Sequence, residues 1–231
     1  MKVIDCRVDS LESLTPYVYK VLLRLSEKVD FIAGQYLNIV MDEKDKRPFS
    51  IASSPNNELI ELQIGAFGED GYAMQVIERL KSADTITIEA PMGNAYLRED
   101  SQRPILLLAG GTGFSYIKSM FEYLSQQNTQ RPVIVYWGLR EPSACYELQQ
   151  SAQTIANIAN ASFIPVVENP TPEWTGKVGL VHEVAMQDIV SFEPYDIYLA
   201  GRFDMVGHVR TDFVEHGALL EHMYADAFAF I

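Results

Sequence analysis

Pro104-Ile105-Leu106-Leu107-Leu108-Ala109-Gly110-Gly111-Thr112-Gly113-Phe114-Ser115 is the stretch that decides how this chain folds. An apolar strand runs into a glycine-rich turn, and a helical pattern opens at Tyr116. A glycine turn between a strand and a helix lets backbone N–H groups approach a pyrophosphate, and the helix N-terminus adds partial positive charge. Thr112 and Ser115 add hydroxyl donors, so Gly110, Gly111, Thr112, Gly113, Phe114 and Ser115 form a candidate nucleotide-binding segment.

Downstream the pattern alternates. A helix near Tyr116 to Gln127, a strand Val133 to Trp137, a helix near Ala144 to Ile158 and a strand Phe163 to Val167 follow in turn. A strand Asp196 to Ala200 precedes a helix near Met205 to Glu215, and the apolar run Ala225 to Ile231 suits a last strand. Strand and helix in alternation imply a parallel sheet. Pro165 lacks an N–H, which marks its strand as an edge or demotes it. Tyr136-Trp137-Gly138-Leu139-Arg140-Glu141 ends where the adenosine of a bound dinucleotide would lie, which adds Trp137, Gly138 and Arg140 as candidates. No acidic residue is clearly placed for a ribose, whereas Arg140 suits a 2′-phosphate.

Upstream of Arg103-Pro104 the chain reads as all-β. Short runs such as Val18 to Leu23, Tyr36 to Met41, Ile60 to Ile64 and Thr85 to Glu89 are separated by turn formers, which suggests a small antiparallel barrel. One helix is expected from Gly71 to Leu80, with Ala73, Val76, Ile77 and Leu80 on one face. The fold class expected is therefore two-domain: an antiparallel β-barrel over residues 1–102, then an α/β parallel-sheet nucleotide-binding domain over residues 103–231.

Composition narrows the chemistry. A net charge of −13 over 231 residues repels a phosphate backbone, and no basic stripe with interleaved aromatics is present, so nucleic acid is not an expected partner. Cys6 and Cys145 are the only cysteines, too few for an iron–sulfur cluster, and His182, His208, His216 and His222 lack a zinc-ligand spacing. No metal is expected. No apolar run approaches the roughly 20 residues of a membrane helix, and the start Met1-Lys2-Val3-Ile4-Asp5-Cys6 has no signal-peptide pattern, so a cytoplasmic protein with no membrane partner is expected.

Arg47-Pro48-Phe49-Ser50, preceded by Gly34-Gln35-Tyr36 and followed by Ile51-Ala52-Ser53-Ser54-Pro55, also suits a strand end with a proline turn when taken alone. Placed before the glycine-rich turn, it resembles the flavin motif of the ferredoxin-NADP reductase superfamily, in which a flavin-binding barrel precedes a nicotinamide-binding domain. In Tyr198-Leu199-Ala200-Gly201-Arg202-Phe203-Asp204-Met205, Ala200 and Phe203 replace that superfamily's Cys and Pro, while Gly201 and Met205 match. This Ala-Gly-Arg-Phe form, with Asp226 to Ile231 at the end, resembles the bacterial NAD(P)H:flavin oxidoreductases of the Fre and LuxG type. The resemblance implies a flavin site of Tyr36, Arg47, Pro48, Phe49 and Ser50, with Arg47 at the FMN phosphate, Phe49 along the ring and Ser50 at N5 as the catalytic candidate. It adds Gly201, Arg202 and Met205 to the NAD(P) site.

The resemblance further implies NADH or NADPH as donor to free riboflavin, FMN or FAD, by hydride transfer from nicotinamide C4 to flavin N5. Relatives that retain FAD carry a Gly-x-x-Ser/Thr motif opening the barrel helix. Gly65 to Met74 has none, and Glu69 with Asp70 would repel a diphosphate, so flavin is expected to be loosely bound. Reduced flavin would then supply a monooxygenase or a luciferase, as in luminescence, or reduce ferric iron. A flavoprotein passing electrons to a bound partner protein, and a non-catalytic flavin- or nucleotide-sensing module, are the alternatives. The role of Phe228 and Phe230 is open, their alternation suiting a buried edge strand.

Overall fold

The computed structural model describes residues 1–68 and 71–231. Its first unit comprises strands β1 (Lys2–Thr15), β2 (Val18–Leu25), β3 (Tyr36–Val40), β4 (Lys46–Ser50) and β5 (Ile60–Gly65), helix α1 (Tyr72–Ser82) and strand β6 (Thr85–Met92). They pair antiparallel in the order β4-β3-β6-β1-β2-β5. The two ends of this sheet meet where the Ala52 N–H donates to the Glu61 carbonyl at 2.8 Å, which closes the barrel. Alternating side chains such as Leu37 and Ile39, Val21 and Leu23, Leu62 and Ile64 fill it, and α1 covers it with Val76, Ile77 and Leu80. The long β1 was not evident from the sequence. Only Ile4 and Cys6 of this strand are buried, and charged or polar residues at most other positions mask its alternation.

The second unit runs β7 (Ile105–Gly110), α2 (Phe114–Gln126), β8 (Val133–Leu139), α3 (Leu148–Ala156), β9 (Ala161–Val167), β10 (Lys177–Val178), α4 (Val181–Asp188), β11 (Asp196–Ala200), α5 (Phe203–Glu215) and β12 (Met223–Tyr224). All strands are parallel, in the order β10-β9-β8-β7-β11-β12. The chain moves outward from β7 in one direction, then returns to lay β11 on its other side. The carboxyl ends of β7 and β11 thus form a topological switch point, the place where open α/β sheets bind ligands. The glycine-rich turn sits there.

Three details differ from expectation. Pro165 pairs with Trp137 of β8 on one side, while the outer neighbour β10 begins its pairing only at Val166, so the missing N–H falls where no partner asks for it. The helix expected over Ala144 to Ile158 splits into a 3-10 turn at Pro142–Ala144 and α3, with Glu147 between them in left-handed backbone at φ 52°. The strand expected over Ala225 to Ile231 is instead a 3-10 turn, Asp226–Ala229, because the Phe228 and Phe230 N–H groups turn back to the Ala225 and Ala227 carbonyls.

One hydrophobic core crosses between the units. Val18, Ala33, Ala95 and Leu97 of the first unit pack with Phe114, Tyr116, Ile117, Met120 and Phe121 of α2. Helix α2 is therefore buried on nearly all sides from Phe114 to Phe121, as a helix between two layers must be.

Candidate active site at the seam

The nucleotide turn is shaped by close approach. Gly111–Gly113 form a 3-10 turn that leads directly into α2, with Gly111 in left-handed backbone at φ 54°. A Cβ on Gly113 would lie 2.6 Å from the carbonyl carbon and oxygen of Ala200, so only glycine lets the turn press against the end of β11. Met205 lies over Gly110 and Gly201, its sulfur 2.4 and 2.8 Å from where their Cβ atoms would stand. Arg202 is exposed and paired with Asp204, Nη2 to Oδ2 at 2.7 Å.

Several expected ligand contacts are packing residues instead. Trp137 is fully buried, donates its indole N–H to the Gly111 carbonyl at 2.9 Å and stacks on Phe114 at 4.0 Å between ring centroids. Tyr146 meets both rings edge-on. Ser115 is buried and donates to the Gln63 carbonyl at 3.2 Å. Gly138 abuts Val181, 2.7 Å from a notional Cβ to Val181 Cβ. The side chains of Phe114, Ser115 and Trp137 support the turn and the sheet from behind, and Gly138 is partly exposed. Gly110, Gly111, Thr112, Gly113, Arg140 and Arg202 remain wholly or partly exposed.

On the barrel, Tyr36 and Ser50 are direct partners across the β3–β4 ladder, and both are half-buried. Pro48 is exposed on β4, an end strand of the sheet where its missing N–H leaves no gap in the ladder. Phe49 sits opposite the fully buried Leu37, packs on the barrel core and is itself half-buried. Arg47 is also turned to protein partners. Its Nε donates to Asp45 at 2.9 and 3.1 Å and its Nη2 to Gln75 at 2.8 Å, while Nη1 donates to the Tyr72 carbonyl. The Tyr72 ring covers the guanidinium at 4.2 Å, and Arg47 is 6% exposed. The guanidinium thus makes its hydrogen bonds to Asp45, Gln75 and the Tyr72 carbonyl.

The second unit reaches back to this hairpin. A Cβ on Gly93 would stand 2.9 Å from Tyr36 Cδ1 and 3.0 Å from Asp226 Oδ1, which places the Tyr36 ring and the Asp226 carboxyl side by side. Gln35 braces the spot, donating from Nε2 to the Gly93 carbonyl at 3.1 Å and accepting the Ile32 N–H at 2.9 Å. Burial pushes the Asp226 carboxyl up to about 6, against the opposing effect of the Ala95 N–H. Burial, and then the Asp226 charge, raise the Tyr36 hydroxyl. Asp226 escaped the sequence reading because it lay in a segment taken as a strand; its signal was a lone carboxylate in the apolar run Ala225 to Ile231.

Cys6 and Cys145 are free, and burial raises their thiols to about 12 and about 11, so neither stands as a thiolate. Among the described residues no group of three His, Cys, Asp or Glu side chains forms a metal site, and no helix is long and apolar enough to cross a membrane. Glu69 and Asp70, read as repelling a diphosphate, lie outside the described residues.

Comparison with known proteins gives matches to both halves. A family model described as an oxidoreductase FAD-binding domain matches residues 5–96, and one described as an oxidoreductase NAD-binding domain matches residues 107–211. The chain is 45% identical to an NAD(P)H-flavin reductase of Vibrio harveyi and 47% identical to one of Aliivibrio fischeri, in each case over 99% of both chains. Among solved structures, a ferredoxin reductase in carbazole 1,9a-dioxygenase superposes with a TM-score of 0.85 at 24% identity, covering 98% of this chain and 69% of that one. A ferredoxin NADP+ reductase from Neisseria gonorrhoeae superposes at 0.78 with 17% identity, covering 95% and 94%. These two share the fold.

Proposed function

The chain belongs to the NAD(P)H-flavin reductase family, and from that membership we propose an enzyme that takes free flavin as a substrate, reduces it with NADH or NADPH and releases it. The reaction is a hydride transfer from nicotinamide C4 to flavin N5, completed by a proton from solvent. What the protein must supply is a stacked geometry with the reacting atoms about 3 to 3.5 Å apart.

The observation that carries this reading is the seam itself: the Tyr36/Ser50 pair of the barrel, the Gly110–Gly113 turn at the switch point and the returning Asp226 belong to one continuous junction of the two units. We assign Ser50 as the hydrogen-bonding partner of flavin N5 and Tyr36 as a wall of the flavin site. Gly110, Gly111, Thr112 and Gly113 hold the pyrophosphate, with Gly201, Arg202 and Met205 shaping the nicotinamide end and Arg140 the adenosine end. The division between the units is placed between residues 102 and 103, ahead of β7.

Loose flavin binding follows from what α1 offers. The helix starts after Gly71 with no side-chain cap, and the stretch Gly65 to Met74 holds no Gly-x-x-Ser/Thr. Reduced flavin then leaves to supply a monooxygenase or a luciferase, or to reduce ferric iron, in the cytoplasm. The test is NADH and NADPH oxidation by desalted protein with and without micromolar riboflavin or FMN. Oxidation that depends on added flavin supports the proposal. Yellow protein that oxidises the donor unaided sinks it in favour of a retained flavin serving a partner protein.

A further inference from the structure

Strand β5 and helix α2 pass each other across the seam in a fixed register. Glu61 Oε2 lies 3.1 Å from Lys118 Nζ, the Gln63 carbonyl accepts the Ser115 hydroxyl at 3.2 Å, and a Cβ on Gly65 would lie 2.9 Å from Thr112 Cγ2. Steps of two keep to one face of a strand and steps of three to one face of a helix. The three contacts therefore form one line, and that line ends on the nucleotide turn.

The far end of the line is anchored by buried charge. Lys118 is 2% exposed, and its ammonium also meets Glu122 Oε1 at 2.6 Å. Gln63 Nε2 bridges Glu61 Oε1 at 2.9 Å and Glu147 Oε2 at 2.7 Å, and Glu147 Oε1 takes Lys20 Nζ at 2.8 Å. Glu147 reaches in from left-handed backbone at φ 52°, a conformation that a non-glycine residue holds only where its surroundings impose it.

Ion pairs buried this deeply lose much of their attraction to desolvation, so they add little net stability over apolar side chains of similar size. What hydrogen-bonded charges do impose is a single geometry. We propose that the Lys118–Glu61 pair is the positioning device of the hydride transfer. It fixes β5 against α2 and, through Gly65 and Thr112, holds the nucleotide turn at the distance from the barrel that stacks nicotinamide on flavin. Lys118 is a positioning residue, since it acts on the reacting atoms through Thr112. The proposal rests on the flavin reductase reading.

The test compares the full-length protein with Lys118→Met and with Glu61→Gln, the latter keeping shape and neutralising one charge. Turnover at saturating substrates is expected to fall about tenfold in both, with KM for flavin and donor held within about twofold, because loosened orientation lowers the rate of the step more than binding. The long-wavelength charge-transfer absorbance of reduced nicotinamide stacked on oxidised flavin, recorded after rapid mixing, is expected to weaken in both and to return in Lys118→Arg. Unchanged turnover and absorbance in either variant that folds, with only a lowered Tm, would overturn the proposal. A wild-type protein with no flavin-dependent NAD(P)H oxidation overturns the reading beneath it as well, and that outcome is distinct from a difference between variants.

Discussion

Asp45 grips the guanidinium of Arg47 from two residues away on the same hairpin, with Nη2 to Oδ2 at 2.5 Å and Nε shared between both carboxylate oxygens. The pair joins the β3–β4 hairpin to the first turn of α1 through the Tyr72 carbonyl and Gln75. A flavin phosphate arriving here competes with a carboxylate already in place, whereas riboflavin has no phosphate to accommodate.

Asp45→Ala is therefore expected to lower KM for FMN about fivefold relative to riboflavin, a modest share of a charge-assisted hydrogen bond. Steady-state kinetics with both flavins checks this. An unaltered KM ratio would show that Arg47 does not meet the phosphate even when released.

Ser50→Ala is expected to reduce turnover by about 10²-fold while KM for riboflavin changes little, since its hydroxyl is assigned to the reacting nitrogen. Equal effects on binding and turnover would move Ser50 from the reaction to ordinary recognition.

Asp226 gives a stability signature. Its carboxyl takes up a proton near 6 when folded, against 3.8 for an ordinary aspartate, so between those values the folded chain holds more protons than the unfolded one. Stability contributed at this site then falls as pH rises from about 4 to about 6 and stays low above that. Asp226→Asn is expected to raise Tm at neutral pH and to flatten that slope, as thermal melts across the window would report.

Gly113→Ala places a methyl group against the Ala200 backbone. A loss of about 1–3 kcal/mol is expected from the forced shift. KM for NADH should rise more than KM for riboflavin, because the turn moves and the barrel hairpin does not.

Arg140→Ala is expected to weaken NADPH relative to NADH, since Arg140 is the exposed cation at the end of β8 assigned to a 2′-phosphate. An unchanged NADPH/NADH ratio of kcat/KM would exclude it from donor choice.

Much of the architecture was legible because period and punctuation are local. The apolar run Ile105 to Ala109 with its glycine turn announced β7 and α2, and Val76, Ile77 and Leu80 announced the inward face of α1. Long-range facts were not legible. Nothing in the sequence tells that Asp45, Tyr72 and Gln75 converge on Arg47, or that the polar residues Ser115, Lys118 and Ser119 of α2 face a second layer rather than water. Phe114 was read with the glycine turn and Trp137 with the end of its strand, and nothing local in the sequence tells that the two rings stack on each other. The terminal run Ala225 to Ile231 misled because its alternation mimics a strand, whereas its backbone closes on itself.

Helix α2 completes the inside of the barrel side and the inside of the parallel sheet at once. Separated from α2, the barrel would present Ala33, Ala95 and the Glu61 carboxylate to water, and α2 in turn would bare Lys118 and Met120. The two recognisable parts thus share one interior, and a cut between them would open charge and apolar surface on both sides.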